Sequence, residues 1–377
     1  MPGSCLRVGL VVPRFAPFRG GMETYTEHAA RALAARGVAV TVVTQAPRSA
    51  RLPARSCRDG FTIERHPLPV GSSFDVPSPA AVRAAARPGR FDVGWVHSYH
   101  TPLAWMVSER ACTSLVLTPH YHGTGHTRLR AMLHRPYRIA GRRLLAASRH
   151  IVVDTDAEAR ALRRDFPRQV LHDKLVVIPL AVDDPVRGQP YPATLPVVLT
   201  VARQEPYKRT DLVVRAVAEL RRRQVPVRLV VVGDGSGLVV CRKLADQLDV
   251  QDMVTFTGLV GDETLGRWWA SATLYATASE HEAFGIAVAQ ALVAGLPVVA
   301  SDIPAHHEVV VRAGPAALAE LVAIDTARHT AVARYADAIE RLLMEVSPRA
   351  ERAAACTLPT PAMMADQLLT VLRYRPK

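Results

Sequence analysis

With 377 residues, 49% of them apolar and 21% charged, the chain is too long for one ordinary core and suits two α/β domains, each able to bury most of its apolar surface. No run reaches the roughly eighteen apolar residues of a membrane span, and five scattered cysteines (Cys5, Cys57, Cys112, Cys241, Cys356) without a CxxC exclude a disulfide framework and a zinc knuckle. The formal charge of +13 is lopsided: residues 1–184 hold 26 Lys and Arg against 14 Asp and Glu, a net of +12, so only the N-terminal half is basic.

The first apolar run, Leu6–Val12, is cut short by Pro13 and Arg14. It reads as a first strand and not as a signal h-region, and the expected location is the cytoplasm, with the basic half leaving peripheral contact with an anionic inner-face membrane open. A helix over Thr24–Arg36 follows, closed by Gly37 as a C′ glycine, and then the strand VAVTVV. Further on come LVLTPH, a helix near Pro136–Ala147 and the run IVV. β-Branched runs alternating with helical stretches imply βαβ units and a mainly parallel sheet. Between Ala111 and Val153 there is no acid but seven arginines, and Arg128, Arg135, Arg142 and Arg149 recur at every seventh position, a spacing that lines one helix face. Such a face is either simply solvated or docks a phosphate-bearing acceptor or an anionic membrane. Nucleic acid is disfavoured, because no aromatic interleaving or known nucleic-acid module accompanies the charge. Thr155 and Glu158 form a capping box opening a helix to about Asp165.

The proline-rich stretch Asp183–Pro196 reads as a linker, dividing residues 1–185 from residues 186–359. A second βαβ series follows, with strands at Val197–Val201, Arg228–Val232, Met253–Phe256, Thr273–Ala276 and Pro297–Ala300. Ala313–Thr330 gives no clear element, while Ala333–Met344 and Ala362–Tyr374 are amphipathic helices. Two such halves imply a cleft, and open α/β sheets bind ligands beyond the carboxyl ends of their strands, so the active site is expected between the domains.

Several segments carry chemistry. Gly20 and Gly21 stand between the first strand and the first helix, where glycines either serve a tight turn or let backbone N–H groups approach a phosphate at the positive end of the helix. In VARQEPYKRTDL, Arg203 and Lys208 lie five apart in a loop after a strand, an arrangement that suits a diphosphate gaining charge as it leaves, or a surface ion pair. In SEHEAFGIAVAQALVAGLPVVASD, the N–H groups of Phe284, Gly285 and Ile286 start a helix and favour an anion. Glu282 at that turn can accept hydrogen bonds from sugar hydroxyls, whereas Glu280 and His281 read as structural or solvent-facing. The histidines of VHSYH (His97, His100) and TPHYHGTGH (His120, His122, His126) match no standard zinc spacing, so no metal is expected. His120, at a strand end, is best placed to contact a substrate.

Together these segments resemble family 4 of the retaining glycosyltransferases, in the family's order and over nearly the whole chain: GGMETYTEHAARALAARG, VHSYHTP, TPHYHGTGH, TDAEARALRRDF, VIPLAVD, VARQEPYKRTDL, LVVVGDGSG and EAFGIAVAQALVAGLPVVASD. The resemblance implies the GT-B fold, two Rossmann-like domains with parallel sheets facing across a cleft, the last helix (within 360–377) crossing back to the N-terminal domain. It implies transfer of a hexosyl group from a UDP- or GDP-sugar, with retention, to a hydroxyl of a lipid-linked, glycan or small natural-product acceptor, with no cofactor and no divalent metal. By the same likeness Arg203 and Lys208 match the pair that binds the donor diphosphate, Glu282 the first glutamate of the signature near the donor sugar, and His120 a histidine near the reaction centre. Gly20 and Gly21 match a loop at the diphosphate, and Gly233 and Gly235 of GDGSG a loop near the nucleotide. Phe284, Gly285, Ile286 and Gln290 complete the donor side, and Glu23, His97, His122, Arg135 and Arg142 fall on the acceptor side. The chain departs from the family at Gln290, which replaces the signature's second glutamate and keeps one carbonyl acceptor without the charge, and at Ala202, Leu180 and Ala181. These departures keep a non-transferring GT-B protein, degenerate or acting as an epimerase or phosphorylase, as the alternative. A dinucleotide-dependent oxidoreductase is disfavoured, since neither half has GxGxxG after a strand.

Overall fold

A computed structural model describes residues 5–18, 20–110, 114–121, 141–171, 173–324, 328–345 and 347–373. The chain divides into two compact units, one formed by Met1–Ala181 with Pro359–Lys377 and the other by Val182–Leu358.

The first unit is built on eight strands: β1 (Arg7–Val11), β2 (Ala39–Ala46), β3 (Arg55–Arg58), β4 (Phe61–Pro67), β5 (Val93–His97), β6 (Ser114–Thr118), β7 (His150–Val153) and β8 (Leu175–Val177). They lie in the order β3-β4-β2-β1-β5-β6-β7-β8, and all neighbours are parallel except β3 with β4. Val8, Leu10, Val42, Val43, Trp95 and Val96 are fully buried, on both faces of the sheet, as expected when helices cover a parallel sheet on either side. The Gly21–Ala34 helix buries Tyr25, Ala29 and Leu33, spaced one turn apart, and Gly37 leaves it at φ +77°. The Pro361–Arg373 helix belongs to this unit and packs on the Gly21–Ala34 helix, burying Met364, Leu368 and Leu372, each contributing about 1.5–3 kcal/mol. Arg36 pairs with Asp366 at 2.8 Å beside it.

The second unit has six parallel strands: β9 (Val197–Val201), β10 (Arg228–Val232), β11 (Val254–Gly258), β12 (Leu274–Ala276), β13 (Val298–Ser301) and β14 (Ala319–Val322). Their order is β11-β10-β9-β12-β13-β14. Helices Thr210–Arg222 and Arg328–Leu343 pack together on this sheet, placing Leu212, Val213, Val217, Tyr335 and Ile339 in one apolar core. β14 lies inside the alanine-rich stretch that carries no readable period, because its sequence AELV is only four residues long and mostly half-buried.

Both sheets reverse their strand order once. In the first, the chain steps from β1 outward to β2 and β4, then restarts at β5 on the other side. In the second it steps from β9 to β10 and β11, then restarts at β12. Beyond the carboxyl ends of β1 and β5, and of β9 and β12, the outgoing loops diverge to opposite sides of the sheet and leave a crevice, where open α/β sheets take their ligands.

Candidate functional site

The reversal in the second unit brings two loops together: residues 202–209 after β9 and residues 277–285 after β12. Lys208 Nζ donates to Glu282 Oε1 at 2.5 Å, with only 12% and 21% of the two side chains exposed. Burial pushes the Glu282 carboxyl up, but the charges of Lys208 and His306 and the bonds from Lys208 and Ser279 outweigh it and hold the group below its ordinary value. Arg203 is exposed, and its Nη2 donates to Tyr207 Oη at 3.1 Å; the Lys208 ammonium lies 5.2 Å from the centre of the same Tyr207 ring. Tyr207 therefore meets both Arg203 and Lys208 and stacks on His281 at 5.4 Å. Glu280 accepts from Arg209 Nη1 at 3.1 Å.

Gly285 caps the Ile286–Val293 helix at φ +91°, a left-handed conformation that glycine adopts without steric cost. A Cβ there would stand 2.9 Å from His306 Cδ2, so glycine is required twice over. His306 reaches this place from the Pro304–Ala313 helix. It is buried, and its Nδ1 lies 2.9 Å from the Ser301 carbonyl. Burial, against the raising effect of Glu282 and Ser301, keeps the imidazole below its ordinary value. The ring is therefore neutral near pH 7 with its hydrogen on Nδ1, since a carbonyl can only accept. Phe284 is buried, whereas Ile286 and Gln290, one turn apart on that helix, are half-buried.

Gly233 and Gly235 have a packing reason for their identity. A Cβ on Gly233 would sit 1.9 Å from the Ala202 carbonyl oxygen, and one on Gly235 2.6 Å from that of Gln204. Gln204 joins the two loops: its Nε2 donates to the carbonyls of Ala202 and Val232 at 3.1 and 3.2 Å, its Oε1 accepts from Thr210 Oγ1 at 2.7 Å, and its backbone carbonyl accepts from Gly237 N at 2.6 Å.

In the first unit the reversal gathers a different set. His97 ends β5 and is completely buried; its Nδ1 is 3.2 Å from His120 Nε2. His120 follows β6 at φ +50°, and its Nδ1 faces Asp154 Oδ2 at 3.7 Å. Tyr25 meets the His120 ring edge-on at 5.2 Å. Burial, then the charge of His120, drives the His97 imidazole well below its ordinary value. Thr155 Oγ1 accepts from Glu158 N at 3.0 Å, the forward half of a capping box. The Glu158 carboxylate reaches beyond the cap residue. It accepts from Asp154 N at 3.2 Å and Tyr121 N at 2.6 Å, and so ties the segment after β7 to the turn that carries His120.

At the start of the Gly21–Ala34 helix, Glu23 is buried and accepts from Arg14 Nε at 2.5 Å. Its Oε2 stands where a Cβ on Gly20 would come within 2.3 Å, while Gly21 is exposed with open space around it. A carboxylate of the chain thus occupies the neighbourhood of that positive helix end. Arg142 is exposed on a helical stretch over residues 141–147, but Arg149 lies past its end, in the turn into β7, with its N–H donating to the Leu115 carbonyl at 2.8 Å. The seven-residue row of arginines therefore does not continue along one helix face, because the chain leaves the helix at Ser148 to enter the sheet. His122, His126, Arg128 and Arg135 lie outside the described residues. Among the described residues, no group of three or more His, Cys, Asp or Glu is arranged to hold a metal, and no helix is long and apolar enough to cross a membrane.

Asp154, Gln204, Tyr207 and His306 are the members of these constellations that sequence reasoning passes over. Asp154 closes an apolar run, and His306 sits 24 positions beyond Glu282, in a helix that only the β13 crossover returns to Gly285.

Comparison with known proteins gives a consistent pattern. Residues 19–185 match the family model described as Glycosyltransferase Family 4, and residues 187–352 that described as Glycosyl transferases group 1. The chain is 32% identical to a D-inositol 3-phosphate glycosyltransferase of Stackebrandtia nassauensis, over 75% of this chain and 72% of the relative. It is 30% identical to one of Kineococcus radiotolerans, over 75% and 73%. Among solved structures, sucrose-phosphate synthase from Thermosynechococcus elongatus superposes with a TM-score of 0.76 at 19% identity, covering 98% of both chains. Anabaena HepE in complex with UDP and glucose gives 0.73 at 15% identity, over 98% of this chain and 99% of the other. At these identities the structural likeness concerns the fold.

Proposed function

This chain belongs to glycosyltransferase family 4 of the GT-B fold, and we propose that it moves a hexosyl group, with retention of configuration, from a UDP- or GDP-sugar to a hydroxyl of a phosphate-bearing acceptor. The observation that carries the donor half is the Lys208–Glu282 pair beside the Gly285 helix terminus, at the strand reversal of the second unit. A diphosphate placed there meets an ammonium with three donors, of which Glu282 uses one, and the uncapped N–H groups of a helix start. Arg203, exposed at the rim, adds a second cation. These groups stabilise the charge that grows on the leaving diphosphate, so the reaction is proposed to need no divalent metal. Glu282, kept ionised, accepts hydrogen bonds from donor-sugar hydroxyls, and Gln290 offers its amide one turn along the helix. No carboxylate is assigned as a covalent nucleophile; the leaving phosphate assists deprotonation of the acceptor.

The acceptor is assigned to the first unit, where His97 ends β5 and His120 follows the adjacent β6. Its phosphate-bearing character rests on the net +12 of residues 1–184 and on the relatives named as D-inositol 3-phosphate glycosyltransferases. The HepE complex with UDP and glucose favours UDP as the nucleotide of the donor. The test is release of UDP from UDP-glucose in EDTA, with and without inositol 3-phosphate, alongside GDP-mannose as the competing donor. Acceptor-dependent release in EDTA that is lost in Lys208→Ala supports the reading. Donor consumption that never depends on a hydroxyl acceptor overturns it in favour of a non-transferring GT-B protein.

A further inference from the structure

The buried polar cluster of the first unit contains more than a substrate-facing histidine requires. His120 presents both ring nitrogens inward: Nε2 to His97 Nδ1 at 3.2 Å, and Nδ1 to Asp154 Oδ2 at 3.7 Å. Asp154 Oδ2, at 3.7 Å, stands beyond hydrogen-bond range but is an acceptor facing Nδ1, which favours the hydrogen of His120 on Nδ1 and leaves Nε2 to accept from His97 Nδ1 at 3.2 Å. His97 is fully buried and Asp154 is 2% exposed. His120 itself holds a left-handed backbone at φ +50°, a region open to histidine more than to most non-glycine residues, and its surroundings fix it there. Glu158 binds the N–H of Tyr121, next to His120, and the N–H of Asp154, so one carboxylate sets the spacing between the two partners. The groups facing the ring from other elements are Tyr25 on the first helix, His97 at the end of β5 and Asp154 after β7. Two buried atoms of this set, His97 Nε2 and Asp154 Oδ1, have no hydrogen-bond partner among the described residues. Leaving such atoms unmatched costs about 1–3 kcal/mol each. That cost makes the arrangement an unusual way to fill a core and a reasonable way to fix a ring.

We propose that Asp154 and His97 are positioning residues that clamp the His120 ring by its two nitrogens, so that His120 offers the substrate a fixed ring and does not exchange protons with it. The inference deepens the transferase reading and rests on it for its kinetic arm only; its spectroscopic arm stands alone.

The test uses the full chain labelled with 15N-histidine, in the wild type and in Asp154→Asn, Asp154→Leu and His97→Gln. The wild type is expected to show His120 hydrogenated on Nδ1, with a coupling to His97 across the hydrogen bond from His97 Nδ1. Asparagine keeps a carbonyl acceptor and is expected to preserve both that tautomer and kcat for UDP release in the presence of inositol 3-phosphate. Leucine removes the acceptor and is expected to mix the tautomers and lower kcat on the order of 10²-fold, the scale of an ångström-sized misplacement, with the KM for UDP-glucose changed far less, because Lys208, Glu282 and Gly285 sit in the other unit. Melting temperature and UDP affinity verify that each variant is folded. If Asp154→Asn loses as much kcat as Asp154→Leu, the charge and not the clamp matters, and the proposal falls to a proton relay. An unperturbed His120 tautomer in Asp154→Leu overturns it outright. A wild type without turnover sinks the transferase reading but leaves the tautomer measurement to decide the clamp.

Discussion

Replacing Lys208 by methionine keeps most of the unbranched side chain and removes the ammonium from Glu282. Truncating one member of a buried ion pair costs about 3–5 kcal/mol. Here the two side chains are 12% and 21% exposed, and Ser279 and His306 still face the carboxylate, so the lower end, about 3 kcal/mol, applies. For a unit of this size that lowers its melting temperature by about 6–12 °C. The pH dependence identifies the cause. In the wild type the folded-state carboxyl lies below its ordinary value of 4.5, so the pair contributes fully above that pH and is lost as the pH falls through the lower folded value. In the variant, burial is no longer opposed by Lys208 and raises the carboxyl, so the penalty is full at neutral pH and is relieved as acid protonates Glu282. Thermal unfolding at pH 7.5 and 5.0 should therefore show the gap to wild type narrowing on acidification, and adding Glu282→Gln should restore part of the loss at pH 7.5. A gap independent of pH, together with a double variant no more stable than the single one, would refute the reasoning. UDP release should fall in the same variant by about 10²–10³-fold, the usual loss for one charge-stabilising donor.

Gly285→Ala should destabilise the second unit by about 1–3 kcal/mol, because it combines a left-handed backbone with a Cβ 2.9 Å from His306; calorimetry reads the loss, and UDP titration should show weakened binding. His97 is held neutral by burial, so the unfolded state takes up protons that the folded state refuses, and stability should decline as the pH falls below about 6.5, by at most about 1.4 kcal/mol per pH unit. Urea unfolding of His97→Gln between pH 7 and 5.5 should show a shallower slope than wild type. Glu158→Ala leaves the N–H groups of Asp154 and Tyr121 without their acceptor and should cost about 2–4 kcal/mol, visible by denaturant unfolding, whereas Thr155→Ala removes the cap and should cost about 1 kcal/mol.

The parallel strands were legible because their runs are short, β-branched and separated by helical periods; the strand bounds at Val197–Val201 and Arg228–Val232 coincide with the structure. The β3–β4 hairpin is absent from a reading based on such runs, since RSCR has no apolar pattern and pairs antiparallel. Its signal was nonetheless present: Asp59–Gly60, at φ +48° and +82°, is the two-residue turn that hairpins prefer. Within the candidate site, Lys208, Glu282 and Gly285 declared themselves by lying in loops that follow strands. Asp154 and His306 did not, because each acquires its meaning from a partner on another strand's loop, and no spacing along the chain records that meeting. The glycines of GDGSG show the converse. They look like a ligand loop, and the structure supplies a steric reason for them in the backbone of residues 202–204.

The β3 strand also bears on the behaviour of the protein in concentrated solution. A long parallel sheet exposes a row of unpaired backbone groups at its rim, which invites a second molecule to add strands. Here that rim is closed by four residues carrying Arg55 and Arg58, followed at the turn by Asp59, on a strand that runs against its neighbour. Charged side chains at the edge must be desolvated before a second strand can pair there, and four residues offer too little ladder to grow on. The edge is thus blunted where the sheet would otherwise be most adhesive, and substituting both arginines by valine is expected to make light scattering climb more steeply with concentration than in the wild type.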